Sequence, residues 1–230
     1  MRRLETEMKR VKLVLLLVMG GLVSACANTS VATRNVPFEA PALPAAPLAA
    51  VETTALVAPL TDVRVENVTV RVPRSLSVSE ANRYLPKADI VWRGDIIGDR
   101  HAQVAAIFDT AMRRGTETLD GAVPVDIDVK VLRFHALTEK ARYTVGGVHN
   151  INFELTIRNA ETGALLTEPR LVRADLDGFG GQQALQAEAG GLTQKVRITA
   201  HLAEVIRQEL TTVEGYKNPQ LGFIQAMNQI

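Results

Sequence analysis

The stretch that decides the fold is residues 151–163, which read INFELTIRNAETG. Its first half alternates polar side chains with four apolar ones, Ile151, Phe153, Leu155 and Ile157. Such alternation is typical of a β-strand that buries one face and leaves the other in water. The second half, residues 159–163, has the composition of a hairpin turn. The stretch therefore predicts an antiparallel sheet that is packed on one side only.

Two further strands are predicted nearer the amino terminus. Valines alternate with polar residues over 62–72, apart from a phase slip at Glu66-Asn67. Residues 88–93 are predicted to form a short buried strand, because Ile90 and Trp92 share one face. Both strands extend the sheet that the central stretch predicts.

Two more strands flank the central stretch. Residues 125–131 place four apolar side chains on one face, and the opposite face carries Asp126, Asp128 and Lys130. After the hairpin turn, a strand is expected over about 165–176. Proline cannot donate a ladder hydrogen bond, so Pro169 is predicted to lie at a bulge or a sheet edge.

Three segments have helical features. A short helix is predicted over 77–85. Asp99 is a suitable N-cap for a longer helix over 100–119. A last helical pattern is broken or started by Gly190-Gly191 and ended by Gly215.

These elements follow the order β, short α, β, α, β, β, β, α. We therefore predict an α+β fold. It is a two-layer domain in which a mainly antiparallel sheet of four to five strands is covered by two helices. The domain is expected to span residues 61–214, followed by a weakly ordered tail over 215–230.

The amino terminus has the features of a secretory signal peptide. Residues 8–12 are positively charged, and residues 13–23 form an apolar run well short of the ~20 residues that a transmembrane helix needs. The residues Val23-Ser24-Ala25-Cys26 resemble the lipobox of bacterial lipoproteins. The resemblance implies that residues 1–25 are removed and that Cys26 becomes the lipidated first residue of the mature chain.

Lipid on Cys26 would make a membrane the first partner of this chain. Two or three acyl chains give a stable anchor, whereas one alone binds only marginally. Ala27 stands where an aspartate would retain a Gram-negative lipoprotein in the inner membrane, which implies a periplasm-facing position on the outer membrane in such a host. A catalytic or buried structural thiol is the alternative for Cys26. Initiation at Met8 would give a more compact signal, so residues 1–7 are interpreted as a gene-start artefact.

Residues 26–60 are predicted to link the lipidated cysteine to the domain as a flexible, Ala/Pro-rich tether. They contain half of the ten prolines and have no hydrophobic period. Extended polyproline geometry rises about 3.1 Å per residue, so the tether would reach on the order of 100 Å. A loop packed on the domain is the alternative for residues 51–57.

The charge distribution disfavours a nucleic-acid partner. The formal charge of the whole chain is +1, but several basic residues lie in the signal peptide. After residue 25 the chain keeps 21 basic and 23 acidic residues and has no cluster of lysine and arginine. A nucleic-acid-binding domain is expected to carry a basic patch.

No residue pattern indicates catalysis, a cofactor or a metal. The histidines lack partners at metal-ligand spacing; they are His101, His135, His149 and His201. Asp126 and Asp128 share a strand face and would suit a carboxylate pair, but a solvated face shared with Lys130 explains them as well. No serine lies in a nucleophile elbow, the serines after the signal peptide being Ser30, Ser75, Ser77 and Ser79.

Two glycine-containing segments remain as candidate binding sites. Residues 175–181, DLDGFGG, precede a predicted helix, so their amides are candidates to bind an anion at its start. Their acids match only part of a calcium loop, because the remaining ligand positions are out of register. The alternative is a strand-to-helix turn without a ligand. Gly146-Gly147 is likewise interpreted as a bulge or flexible strand start.

The element order over about 61–212 resembles small α/β lipoprotein domains of bacterial envelope proteins, including the amino-terminal domain of the translocation protein TolB. The chain also resembles an uncharacterised family of alphaproteobacterial envelope lipoproteins. Three functions follow as hypotheses. The first is a non-enzymatic interaction or assembly module of the envelope, with an unknown protein partner. The second is a ligand-binding auxiliary subunit of an envelope transport system, and the third is an enzyme acting on envelope polymers.

Overall fold

A computed structural model describes residues 62–219. The predicted signal peptide, Cys26, the whole of the predicted tether, and residues 220–230 of the predicted tail lie outside these residues. The elements in chain order are β1 Val63–Arg71, β2 Ile90–Val91, α1 Arg100–Thr116, β3 Val123–His135, α2 Glu139–Arg142, β4 Gly147–Asn159, β5 Arg170–Arg173, β6 Leu176–Gly178, α3 Gly181–Ala189 and α4 Gln194–Thr211.

The strands form one six-stranded sheet in the order β1-β3-β4-β5, to which β2 adds beside β3 and β6 beside β4. Strand β4 runs antiparallel to β3, β5 and β6, as the hairpin pattern predicts. Strands β1 and β2 both run parallel to β3, so the sheet is mixed. The predicted α+β class is confirmed, and the phase slip at Glu66-Asn67 corresponds to a register shift between Val65 and Asn67.

The core lies between one sheet face and the two long helices, α1 and α4. Phe108 of α1 packs edge-on against two sheet residues, with ring centroids 6.1 Å from Phe134 and 5.5 Å from Phe153. The inward residues of α4 include Ile198 and Leu202, both fully buried. Helix α1 begins where predicted, because the Asp99 side chain accepts a hydrogen bond from the N–H of Ala102.

The predicted helix over 77–85 is wrong. The N–H and hydroxyl of Ser77 both donate to the carboxylate of Asp89, and the N–H of Ser79 donates to the carbonyl of Ile90. Val78 forms a parallel bridge with Ile90, so this extended segment runs along β2. Serine side chains compete with helical backbone bonds, which favours the extended form.

The single strand predicted over 165–176 is divided into β5 and β6. The carboxylate of Asp175 turns inward and accepts from the N–H of Ile151 and from the Asn150 amide, which interrupts the ladder between the two short strands. Pro169 directly precedes β5 at the sheet edge, as predicted. Gly190-Gly191 separates α3 from α4, which also agrees with the sequence.

The beginning of the predicted tail packs on the domain. The N–H of Tyr216 donates to the carboxylate of Glu209. The amide of Asn218 donates to the carbonyls of Arg173 and Asp175. The described part of the domain therefore continues past residue 214.

The two ends of the sheet are distinct surfaces. Strand β1 begins beside the start of β3, where the N–H of Val123 donates to the carbonyl of Asp62. We call this the near end. The opposite end, called the far end below, comprises residues 93–99, 136–147 and 176–193 with the first turns of α1 and α4.

Candidate functional site

The four histidines are held at separate places by ordinary structural contacts. One ring nitrogen of His101 lies 3.1 Å from the carbonyl of Leu76, and one of His135 lies 2.8 Å from that of Pro86. His201 packs edge-on against Tyr216. Within residues 62–219, no three His, Cys, Asp or Glu side chains are grouped so as to hold a metal ion.

Asp126 and Asp128 lie on the outer face of the sheet, away from the helices. Asp126 accepts a hydrogen bond of 2.8 Å from the side chain of Asn67. Asp128 lies 3.9 Å from the guanidinium groups of both Arg71 and Arg158. The structure therefore brings these carboxylates together with strand neighbours on a solvated surface, and not inside a cleft.

The glycines of residues 175–181 allow two segments of the backbone to cross closely. A Cβ atom on Gly180 would lie 2.4 Å from the backbone nitrogen of Gly146, a distance that backbone atoms cannot tolerate. Gly146 itself has φ +73, a conformation that favours glycine. In the same segment, burial raises the pKa of Asp175, whose carboxylate is taken up by the bonds to β4 described above.

A small inner cavity lies beside this crossing, between α2, β4, α3 and the start of α4. Its volume is about 10 Å³, which is room for a single water molecule. Its lining includes Leu137, Arg142, His149, Glu188, Gln194 and Arg197. The cavity is thus far smaller than the several hundred Å³ typical of a small-molecule pocket.

Gln194 is the least satisfied polar residue of this region. Its side chain is 4% exposed, and neither its amide oxygen nor its amide nitrogen has a hydrogen-bond partner. The Nε atom of Arg142 lies 3.1 Å from Glu188 but makes no well-aligned hydrogen bond. Buried polar atoms are nearly always paired, and the cavity beside these two groups has room for one water molecule.

His149 borders the same cavity as a neutral imidazole. Its Nδ1 accepts from the N–H of Leu137 at 3.2 Å, so the ring proton is on Nε2. Burial, reinforced by the positive charges of Arg197 and Arg142, lowers the pKa of His149 to about 3. The guanidinium of Arg197 stacks 3.4 Å over the ring of Phe179, which closes this side of the cavity.

An open cleft of about 250 Å³ lies next to the inner cavity and shares Arg142, Glu188 and Gln194 with it. We call it the outer cleft. Its lining is completed by Arg93, Gly94, Thr193 and Lys195. Three cationic side chains and one carboxylate therefore face this space.

Each cation around the outer cleft is paired with a carboxylate, Arg142 with Glu188 and the other two with residues outside the lining. Arg93 pairs with Glu139, and the ammonium of Lys195 lies 2.8 Å from Asp95. Helix α4 begins at the floor of the cleft, where the Thr193 hydroxyl accepts from the N–H of Val196. The positive end of the helix dipole adds to the cationic side chains.

Exposed apolar side chains surround this end of the domain. Ile96 and Ile97 follow Asp95 and are 90% and 79% exposed. Leu192 and Val196 are exposed on either side of the start of α4. Of the fourteen large hydrophobic side chains that residues 62–219 expose, seven lie at the far end: Ile96, Ile97, Tyr143, Val145, Leu185, Leu192 and Val196.

Sequence reasoning did not identify the residues of the outer cleft. They come from four separate segments, and no spacing along the chain connects Arg93, Arg142 and Gln194. The one available signal was Thr193 after Gly190-Gly191, which marks a helix start. Burial of a glutamine at that start follows only from how α3 and the 136–147 segment pack around it.

The other openings of the described domain do not provide the pocket that a small-molecule ligand would need. A deep apolar pocket between helices and sheet would favour a ligand-binding subunit, but within residues 62–219 this layer is filled by core side chains. Two larger grooves, of about 520 and 570 Å³, lie on the surface beside β5 and beside His135. Among the helices of residues 62–219, none is long and apolar enough to cross a membrane.

Fold and cleft together define a small α+β domain with an open mixed sheet and a polar cleft at one end. The chain belongs to the family of unknown function DUF6778, whose model matches residues 63–226. The matched region thus begins at the first residue of β1 and includes every described element.

Comparison with solved structures gives distant likenesses. A crystal structure described as that of a candidate lipoprotein from Caulobacter crescentus is 12% identical, with a TM-score of 0.31, and covers 68% of this chain and 92% of its own. A Xanthomonas campestris protein of the family DUF330 is 9% identical, with a TM-score of 0.37, and covers 74% of this chain and 89% of its own. No curated protein matches the chain.

Proposed function

We propose that this protein is a lipid-anchored envelope lipoprotein whose domain acts through protein contacts as a non-enzymatic interaction or assembly module. The anchor is Cys26, because Val23-Ser24-Ala25-Cys26 follows a short apolar run in the order a lipobox requires. Ala27 favours the outer membrane, with the domain facing the periplasm, in a Gram-negative host. No cofactor is part of this proposal.

The observation that carries the contact function is the placement of the exposed apolar side chains. The described chain starts at the near end, where Asp62 and Val63 lie beside the start of β3. Ile96 and Ile97 lie at the opposite end and are almost fully exposed. Exposed apolar side chains that cluster on one surface are typical of a protein-contact site. A tether attached at the near end leaves this surface directed away from its attachment point.

The anchor is tested by the substitution Cys26→Ala in the native host. We expect this variant to lose acyl labelling and to accumulate as unprocessed precursor, whereas the matched control Ser30→Ala is processed and lipidated normally. Mass spectrometry of the mature amino terminus and metabolic labelling with a fatty acid measure both effects. A Cys26→Ala protein that is still cut before residue 26 and released in soluble form would contradict the anchor.

The contact function is tested by a photo-crosslinking amino acid placed at Ile96 or, as control, at Thr162 in the near-end turn. Both positions are exposed, and the Thr162 hydroxyl bonds only to residues of its own turn, so neither replacement should disturb the domain as a whole. We expect a discrete crosslinked envelope protein from position 96 and none from position 162. Recovery of the uncrosslinked protein alone from both positions, under several growth conditions, would count against an interaction module.

A further inference from the structure

The outer edge of β5 pairs with no other strand of residues 62–219. Strand β5 pairs with β4 alone and ends the strand order β1-β3-β4-β5. The N–H of Ala174 donates to the carbonyl of Ile151 on β4. Because backbone groups alternate in direction along a strand, those of Leu171 and Arg173 are directed away from β4. A sheet edge of this kind is normally covered, since unpaired backbone groups recruit other chains.

A surface groove of about 520 Å³ runs along this edge. We call it the β5 groove. It is lined by all four residues of β5, by Glu209 of α4 and by residues 216–218. Leu171, which is 51% exposed, provides apolar surface in it. The groove is open to solvent along the strand, so it suits an extended segment of chain better than an enclosed small molecule.

The last described residues of the chain pass along this groove. The N–H of Tyr216 donates to Glu209, which is the ion-pair partner of Arg170 at the start of β5. The side chain of Asn218 donates to the carbonyl of Arg173 at the end of β5. Residues 216–218 therefore follow β5 from its start to its end and are fixed at both places.

The next residues have the composition of a chain reversal. In Asn218-Pro219-Gln220-Leu221, asparagine and proline occupy the first two positions of a type I β-turn, where they are favoured. Pro219 lies in a turn. A reversal at this point returns residues 221–226 along β5. Six extended residues span about 20 Å, which is more than the length of the four-residue strand.

The segment 221–226, LGFIQA, matches the groove in composition. Three of its side chains are large and apolar: Leu221, Phe223 and Ile224. It carries no charge, which suits the groove because Arg170 is paired with Glu209 and Lys217 with Glu214. The family model extends to residue 226, so it includes this segment together with the described elements.

We propose that residues 221–226 of this chain dock in the β5 groove as an extended segment that pairs with the outer edge of β5. The occupant is this segment, and not a second copy or a partner's peptide, because Asn218 anchors the chain at the groove. A segment attached at its binding site has a high effective concentration there. The docked segment closes the sheet edge against other chains. This inference does not depend on the proposed function.

The test measures hydrogen–deuterium exchange at the Leu171 amide of the purified full chain in an uncharged detergent, by mass spectrometry of fragments. In the wild type we expect slow exchange, because the docked segment accepts this hydrogen bond. Leu221→Asp and Phe223→Asp each place a charge in the segment, and we expect either change to accelerate exchange at Leu171 about tenfold or more. Ile230→Asp makes the same kind of change after the segment, so it is expected to exchange as the wild type does.

Each remaining outcome overturns the proposal. Rapid exchange at Leu171 in the wild type means that the edge is open. Slow exchange that neither substitution accelerates means that something other than residues 221–226 covers the edge. Slow exchange that is lost on dilution assigns the cover to a second copy of the chain. The amide of the fully buried Val129 in β3 is the internal reference, and its continued protection shows that a change at Leu171 is not caused by unfolding.

Discussion

The layer between the sheet and the long helices contrasts with the far end of the domain. In the layer, apolar side chains such as Phe108 and Phe153 are fully buried. At the far end burial does not follow polarity, because Ile96 and Ile97 are exposed while the side chain of Gln194 is buried without partners. Burial of apolar side chains stabilises the fold, which explains the layer. Stability does not explain the arrangement at the far end. Places where a sequence violates the rules of burial are expected to be functional. The contrast therefore separates residues that maintain the fold from residues that the proposed contact function would use.

The largest expected effect is on the stability of the layer. Phe108→Ala removes the ring that bridges Phe134 and Phe153, and such truncations cost about 4 kcal/mol of unfolding free energy. Urea denaturation followed by circular dichroism measures this change. Thr110→Ala, at an exposed position of the same helix, is the control and is expected to change stability by less than about 0.5 kcal/mol. Equal losses in the two variants would show that the helix is not packed as described.

The second effect is the pH dependence of stability, which depends on a buried histidine at the far end, His149. The pKa of His149 falls from 6.5 to about 3 on folding, so the unfolded chain binds the proton more tightly. Stability is therefore full above pH 6.5 and is lost as pH falls toward 3. Between pH 6.5 and 4.5, His149 alone would remove about 2 kcal/mol of unfolding free energy.

Chemical denaturation at several pH values across this window measures the slope. Burial also lowers the pKa of His135 and His201, so these residues add to the same trend. His149→Gln keeps a hydrogen-bond acceptor but does not titrate, and we expect it to flatten the slope. His101→Gln is the control, because His101 belongs to the first turn of α1 and does not line the inner cavity. A wild-type slope in His149→Gln would mean that His149 is solvated in the folded protein.

A third prediction concerns the glycine crossing that shapes the far end. Gly180→Ala would place a Cβ atom against the backbone of Gly146. We expect it to lower the unfolding free energy by about 2 kcal/mol, because the two backbone segments must separate. Gly190→Ala is the matched control, since its nearest neighbouring atoms are 3.5 Å away and its φ is −83°. Thermal melting of both variants measures the difference. Unchanged stability in Gly180→Ala would show that the crossing is looser than the geometry indicates.

The layer was largely predictable from sequence, because the alternation of apolar and polar residues in a strand indicates which face is buried. Strands β3 and β4 alternate as expected, and the Asp99 cap places the start of α1. The parallel pairing of β1 with β3 was not predictable, since alternation identifies a strand but not its neighbour. The wrong prediction of a helix over 77–85 has a similar cause. The hydrogen-bond partner of Ser77 is Asp89, twelve residues away, and a local pattern does not show such a contact.

The candidate site was not predictable, for a different physical reason. Arg93, Arg142 and Gln194 come together only through the packing of loops, and no local pattern marks a polar residue that becomes buried. The glycines of residues 175–181 suggested an anion-binding site, because glycines leave backbone amides accessible. Their structural role is the close approach of two backbones, a use of glycine that sequence alone does not distinguish from ligand binding.

The smallest expected effect is the one that decides whether the far end is a contact surface. Ile96→Ala removes a side chain that is 90% exposed, so the unfolding free energy should change by less than about 0.5 kcal/mol. Ile107→Ala is the matched control: the same substitution at a residue only 1% exposed should cost about 3 kcal/mol. Urea denaturation of both variants provides the comparison, and a comparable loss in Ile96→Ala would show that Ile96 supports the fold. If Ile96→Ala keeps its stability and also loses the partner captured by a photo-crosslinking residue at the neighbouring exposed position 97, the cost of exposing Ile96 is explained by the contact it makes.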